Sequence, residues 1–335
     1  MVPMIKGGGY GHGMVAVAQA LREQSSVIAF GVATDDEAQV PRQAGLKAPL
    51  WIFSNAVPWT REKNDFYRRF DLVPVFHRLE DLRSFTRMNR PGLGGGRALP
   101  FQLKINTGLN RLGLDPTEVV TAGRILSQAC LTPDGVCTHF ASPEDSVGAS
   151  SQDQVARFRA ALGQLTLVGI TPRYVHAAAT RSLIETRALG LWGLCNVARP
   201  GIGLYGYGLP KKCGLKPVLE WRALVLRTRR LNKGDRVGYG GEYTARGGET
   251  EAVLGCGYGD GLPRALAGGT IGRRKILGRV SMDLMSIAGN GLRVGHSVRI
   301  LGESVDQGER LALDAGTIIY EILTGISTRV ARRYR

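Results

Sequence analysis

The chain has 335 residues, 43% hydrophobic and 21% charged, enough to build a large core and too apolar for a disordered or low-complexity protein. No apolar run reaches the roughly 18 residues of a membrane helix, and Lys6 with its glycine cluster stands where an export signal would place its apolar segment, so the cytoplasm is the expected compartment. The net charge of +16 is scattered in pairs such as Arg68-Arg69, Arg229-Arg230 and Arg332-Arg333 with no interleaved aromatic stripe, which argues against a nucleic-acid site and predicts a solvated basic surface.

From residue 1 to about 208, eight short strand patterns alternate with helical ones. The strands are "MVPMIK", "SSVIAFGVAT", "APLWIFSN", "FDLVPVF", "LPFQLKINTG", "GVCTHFA", "TPRYVHAA" and "CNVARPGIGLYG". The helices between them include "GMVAVAQALREQ", "TDDEAQVPRQAG", "HRLEDLRSFTRM", "PTEVVTAGRILSQA" and "SSQDQVARFRAALGQL", with apolar residues at helical spacing and Asp, Thr, Ser or Pro at their starts. Such alternation predicts right-handed βαβ units closing into a parallel (β/α)8 TIM barrel over residues 1–208, whose chemistry belongs at the C-terminal ends of the strands. "GLPKKCGLKP" is the expected link. Residues 209–335 then read as a mostly-β domain with a single helix, "DAGTIIYEILTGI", opening near Asp314. The five cysteines contain no Cys-x-x-Cys pair, so reduced thiols and no metal site are expected.

One stretch asks for a chemical explanation: "IKGGGYGHG", where Lys6 ends the first strand and abuts three glycines. Most lysines at strand ends are solvated. Here the C-terminal rim of a barrel carries chemistry, and glycines remove every side chain that would shield the amine. A lysine desolvated enough to lose its proton is a good nucleophile toward an aldehyde.

The stretch resembles the cofactor-lysine motif of the alanine racemase family, Lys-Ala-Asn-Ala-Tyr-Gly-His-Gly. The resemblance continues in order through "FGVATDDEA", "KINTGLNRLG", "THFASPED", "RPGIGLYG", "VGYGGEYTA", "GYGDGLPR", "GRVSMD" and "YEILTGISTRVARRY", across both expected domains. It implies a pyridoxal 5′-phosphate enzyme with the cofactor on Lys6. It further implies Tyr10, Thr180, Gly201, Ile202 and Tyr320 around the phosphate, and Arg199 at the pyridine nitrogen. His139 would link toward Arg199, with Arg111, Tyr258 and Met282 toward the substrate.

By the same resemblance, Lys6 and Tyr239 are the two bases, one for each face of the substrate Cα, with Tyr239 contributed by the partner subunit of a homodimer with shared active sites. The implied reaction is interconversion of L- and D-alanine, supplying D-alanine for peptidoglycan. A broader amino-acid racemase and a cofactor-binding protein without efficient turnover are the alternatives. Lys104 stands where some members carry a carbamylated lysine.

Three departures accompany the match. Gly7, Gly8 and Gly9 replace Ala-Asn-Ala, and Ala179 stands where an asparagine is usual. The sequence in hand also starts close to Lys6, without the leading helix of other members, from which apolar surface at the barrel bottom is expected.

Overall fold

The structure is a computed structural model of the chain and describes residues 1–54, 56–91, 97–142 and 148–335. The last three residues of "THFASPED" and the final Asn55 of "APLWIFSN" lie outside the described residues. Two compact units divide the chain. One comprises Met1–Gly9 with Met14–Gly201, the other Tyr10–Gly13 with Ile202–Arg335. The division thus falls after Gly201, and four residues just beyond Lys6 belong to the second unit.

In the first unit, six parallel strands pair in sequence order: β1 (Phe30–Val32), β2 (Leu50–Ile52), β3 (Leu72–Phe76), β4 (Gln102–Lys104), β5 (Gly135–Cys137) and β6 (Tyr174–His176). Every residue of β1 to β5 is buried, as strands covered on both faces require. Two of the eight predicted strands are carried as bonded segments without regular strand geometry. Residues 1–5 bond on one side to the β1 edge (Ile5 N to Gly31 O, 2.9 Å) and on the other to residues 198–200 (Val2 N to Ala198 O, 2.8 Å; Met4 N to Pro200 O, 2.9 Å). Residues 197–199 continue onto the β6 side through Arg199 N to Ala178 O (2.8 Å), which carries the ring round to its start. Pro3 and Pro200 lack the N–H groups that a regular ladder uses there.

Between this sheet and the helices that cover it, Phe30, Ile52, Phe76, Leu103 and Val136 come from five neighbouring strands and are fully buried, each stabilising the unit by roughly 1.5–3 kcal/mol. Helices Met14–Leu21, Asp35–Gln43, Leu79–Asn89, Val119–Gln128 and Ala149–Leu167 fall where periodicity placed them. Thr34 caps the second of these by accepting from Glu37 N at 3.2 Å, with three acidic residues in its first turn. Two helices were not read from sequence. Arg61–Arg69 is so polar that only Phe66 and Tyr67 mark an apolar side, and Thr180–Ile184 is five residues long.

The second unit is built on an antiparallel sheet. Its strands are β7 (Trp221–Arg230), β10 (Thr250–Leu254), β13 (Met285–Ala288) and β14 (Ser297–Leu301), in the order β13-β10-β7-β14; β8 (Arg236–Val237) with β9 (Tyr243–Thr244), and β11 (Thr270–Ile271) with β12 (Arg274–Lys275), form two small ribbons. Along β7, Trp221, Ala223 and Val225 are buried while Arg222, Leu224 and Leu226 are exposed, the alternation of a sheet with one covered face. The single helix expected near Asp314 is corrected to two, Val305–Asp314 and Ile319–Gly325. Asp314 ends the first, because Gly316 at φ +69° terminates it.

Candidate active site

The residues after Ile5 do not continue a strand. Gly7, Gly8 and Gly9 take φ values of +61°, +62° and +68°, and Tyr10 follows at +51°, so the chain makes a left-handed turn. Four consecutive residues in this region are tolerable because three carry no Cβ. Glu37 holds the turn: its carboxylate accepts the N–H of Gly7 and, at 2.9 Å, that of Ala33, while Gly9 N reaches back to Ile5 O at 2.7 Å. Lys6 is thereby placed at the C-terminal end of the first barrel segment. Its side chain keeps solvent-accessible surface, yet protein atoms crowd the amine enough to lower its pKa. Burial is the main cause, followed by Arg111; Glu37 opposes the shift and Arg199 adds to it.

The neighbouring strand ends complete one rim. Lys104, Cys137 and His176 close β4, β5 and β6 and stand in register with one another. Lys104 is buried and its pKa is lowered, first by burial and then by Arg111, Arg199 and Lys6, with the Cys137 thiol opposing. His139, two residues past β5, is pushed down to about 3 by burial and by Arg199, Lys104, Arg111 and Lys6, so it is neutral throughout the physiological range. Four cations around one rim, with Glu37 the carboxylate that counts in the balance at Lys6, make an environment suited to an anionic ligand.

Arg199 is 5% exposed and is fixed from several sides. One terminal nitrogen donates to His176 Nδ1 and to His176 O (2.8 Å), the other to Thr138 O (2.7 Å) and Ala177 O (3.3 Å). Because a guanidinium only donates, His176 Nδ1 accepts; its Nε2–H then donates to Gln102 Oε1 at 2.6 Å. Burial and Arg199 hold the His176 pKa well below its usual value, in keeping with a neutral ring. Among the described residues no hydrogen bond uses Arg199 Nε–H, which leaves that donor for a ligand. The side chain bonded to Arg199 is therefore His176, whereas Arg199 acts on His139 through space, lowering its pKa.

Beyond β6, Thr180 is 4% exposed and its hydroxyl accepts from Gly201 N at 2.9 Å. Ala179 carries no polar side chain there; its N–H donates to Ser182 Oγ at 2.9 Å and its backbone pairs with Arg199.

The second unit gathers a different set. Tyr10, 8% exposed, stacks on Tyr205 with ring centroids 5.0 Å apart and lies 6.1 Å from Tyr320. His12 Nδ1 bonds Tyr10 O at 2.8 Å, and Ile202 opens the 3-10 turn Ile202–Tyr205 that presents Tyr205. Tyr258 and Met282 lie on adjacent loops joined by Tyr258 N to Ser281 O (2.9 Å) and Gly259 N to Met282 O (2.8 Å). Tyr239 sits on a turn after β8 with its ring 70% exposed.

The barrel unit thus brings together Lys6, Lys104, Arg111, His139 and Arg199, and sets Thr180 beside Gly201. The second unit brings together Tyr10 and Tyr320, and separately Tyr258 and Met282. Sequence reading missed Glu37, Gln102 and His176. Gln102 carried the one usable signal, since it lies two positions before Lys104 on a strand and shares its face.

A model of the alanine racemase N-terminal domain matches residues 1–209, and one of the C-terminal domain matches residues 218–334. The chain belongs to the alanine racemase family. It is 33% identical over 347 residues to the alanine racemase of Hahella chejuensis, covering 99% of this chain and 90% of that protein. It is 34% identical over 353 residues to that of Carboxydothermus hydrogenoformans, covering 99% and 92%. Among solved structures, alanine racemase from D-cycloserine-producing Streptomyces lavendulae superposes with a TM-score of 0.87 at 27% identity, over 100% of this chain and 90% of that one. The E. faecalis family member gives 0.85 at 29% identity, over 100% and 91%.

Proposed function

We propose that this chain interconverts L- and D-alanine with pyridoxal 5′-phosphate held on Lys6, as a homodimer in which a second copy supplies Tyr239, and that it provides D-alanine for peptidoglycan. The observation that carries the reading is the Lys6 amine, set at the rim by a left-handed turn and shifted toward its neutral form by burial, Arg111 and Arg199. The residues suit the cofactor: a neutral-leaning amine for its aldehyde, the unused Nε–H of Arg199 for its ring nitrogen, and the Thr180 hydroxyl beside the Gly201 amide for its phosphate. Tyr10, Ile202 and Tyr320 are assigned to the phosphate end by resemblance.

When bound, the cofactor draws off the electron pair left as the substrate Cα–H bond breaks. The Lys6 amine takes or returns the proton on one face of Cα. The phenol of Tyr239 does so on the other, and its exposure in the single chain leaves it accessible to a second copy. Arg199, a buried permanent cation held by four acceptors, would oppose a second positive charge on the ring nitrogen of a bound cofactor and so restrain side reactions that need a stronger electron sink. By resemblance, Arg111 and the Met282 backbone are each assigned to the substrate carboxylate.

The test is direct. Protein incubated with pyridoxal phosphate is expected to gain visible absorbance, and L-alanine in deuterium oxide to exchange its α-proton while losing optical rotation. Lys6→Ala abolishes both. Absorbance without exchange would establish a cofactor-binding protein instead.

A further inference from the structure

The C-terminal residues 327–335 do more than end the chain. Two arginines in "STRVARRYR" reach different loops of the second unit, and each loop carries residues assigned above to the site. Arg329 donates through Nε to Asp260 Oδ1 (2.7 Å) and through a terminal nitrogen to Asp260 Oδ2 (3.0 Å) and Asp283 Oδ1 (2.8 Å). Asp260 closes the turn that bears Tyr258, and its carboxylate also accepts from Gly257 N at 2.8 Å; Asp283 adjoins Met282. The guanidinium lies against the Gly259 backbone, where an added Cβ would stand 3.0 Å from Arg329 Cζ and 3.1 Å from Met282 O. Ser327 N bonds Asp260 O at 2.9 Å, tying the tail backbone to the same turn.

Arg332 reaches the opposite way. Its Nε donates to Gly11 O at 3.0 Å, and its two terminal nitrogens donate to Ser327 O, Val330 O and Ile326 O, each at 2.8 Å. Three of these four acceptors lie in the tail and its approach, so the side chain is preassembled by its own segment and presents one donor to the loop that follows Tyr10. That loop is closely held on other sides. A Cβ at Gly11 would stand 1.9 Å from Leu323 O, and one at Gly13 would stand 1.9 Å from Tyr334 Oη. Arg333, next after Arg332, is exposed and makes no hydrogen bond among the described residues.

We propose that the C-terminal tail is a two-armed brace, Arg329 being a positioning residue for the Tyr258 and Met282 loops and Arg332 a positioning residue for the Tyr10–Gly13 loop. The proposal rests on the functional reading for what those loops hold, and on the geometry for the bracing. Multiple charge-assisted bonds on preassembled side chains are what let each arm act separately.

Hydrogen exchange of the full-length protein tests the brace independently of activity. Arg332→Ala is expected to raise exchange in peptides covering residues 10–14 and leave those covering 257–260 and 281–284 unchanged. Arg329→Ala does the reverse, and Arg333→Ala neither. On holoenzyme, Arg332→Ala speeds cofactor loss about tenfold with the KM for L-alanine within about twofold, whereas Arg329→Ala raises KM about fivefold with cofactor retention within about twofold. Should an alanine variant precipitate, Arg329→Lys and Arg332→Lys, which keep charge but lose the fork, show the same split at smaller size. Equal exchange changes in both regions for both variants, or a lowered melting temperature with no regional pattern, overturns the brace. A clear regional split in a protein that takes up no pyridoxal phosphate leaves the brace standing and removes the racemase reading.

Discussion

Replacing glycines around Lys6 gives a graded test of why the motif is so bare. Gly8 has φ +62° and a Cβ added there meets nothing within 4 Å, so Gly8→Ala carries only the left-handed backbone cost of roughly 1–2 kcal/mol. About 0.4–1 kcal/mol of this is offset because alanine restricts the unfolded chain. The expected loss is therefore roughly 1 kcal/mol, and Gly8→Asn should lose about half of that, since asparagine tolerates this region better. Gly11 differs: at φ +78° its Cβ would stand 1.9 Å from the backbone oxygen of Leu323, which cannot rotate away. Backbone strain and overpacking together put Gly11→Ala at roughly 3 kcal/mol. Urea unfolding of the three variants beside the parent, compared at equal m-values, measures the ranking. A Gly8→Ala protein more stable than the parent, or a Gly11→Ala protein no worse than Gly8→Ala, would refute the reasoning.

Glu37→Gln removes the one carboxylate that raises the Lys6 pKa, so the pH profile of visible-absorbance gain with pyridoxal phosphate should move to lower pH; movement to higher pH contradicts the assigned electrostatics. Thr180→Val leaves the Gly201 amide without its acceptor and should cost about 1–3 kcal/mol of stability and weaken cofactor retention, whereas Thr180→Ser retains both, as melting and absorbance titration would show. His139 and His176 are held neutral in the fold, so the unfolded chain binds more protons; their contribution is complete above pH 6.5 and falls as pH drops below it, for His139 down to about 3, at most about 1.4 kcal/mol per pH unit for each imidazole. Melting temperature should accordingly decline across that window, less steeply in His139→Gln, and an unchanged slope in that variant argues against the assignment. Tyr239→Phe, at an exposed ring, should leave stability within about 0.5 kcal/mol while slowing proton removal from L-alanine about 100-fold. Small and equal losses in both directions of racemisation count against the two-base assignment.

Much of the site was legible because its residues sit at places that local pattern marks. Lys6, Lys104 and Arg199 each end or interrupt an apolar run, and in a barrel such positions fall on the C-terminal rim. The helix Arg61–Arg69 escaped because its covered face amounts to little more than Asn64 and Tyr67, too few apolar positions to set a period. The helix Val305–Asp314 was not read at all, and the helix expected to open near Asp314 begins only at Ile319, past the left-handed Gly316.

What the sequence by itself determined was which residue types stand where: a lysine before three glycines, β-branched runs at barrel spacing, and then an alternating β texture. Which groups touch was decided by tertiary structure alone. Arg199 binds His176 and not His139, Gln102 bonds a histidine 74 positions away, and Arg332 reaches Gly11 across 321 positions. Side-chain partnerships at such separations depend on where the folded backbone brings two carbonyls or rings together, and no local period or turn preference encodes that distance. The same holds for the motif itself, whose lysine packs with one unit and whose tyrosine packs with the other.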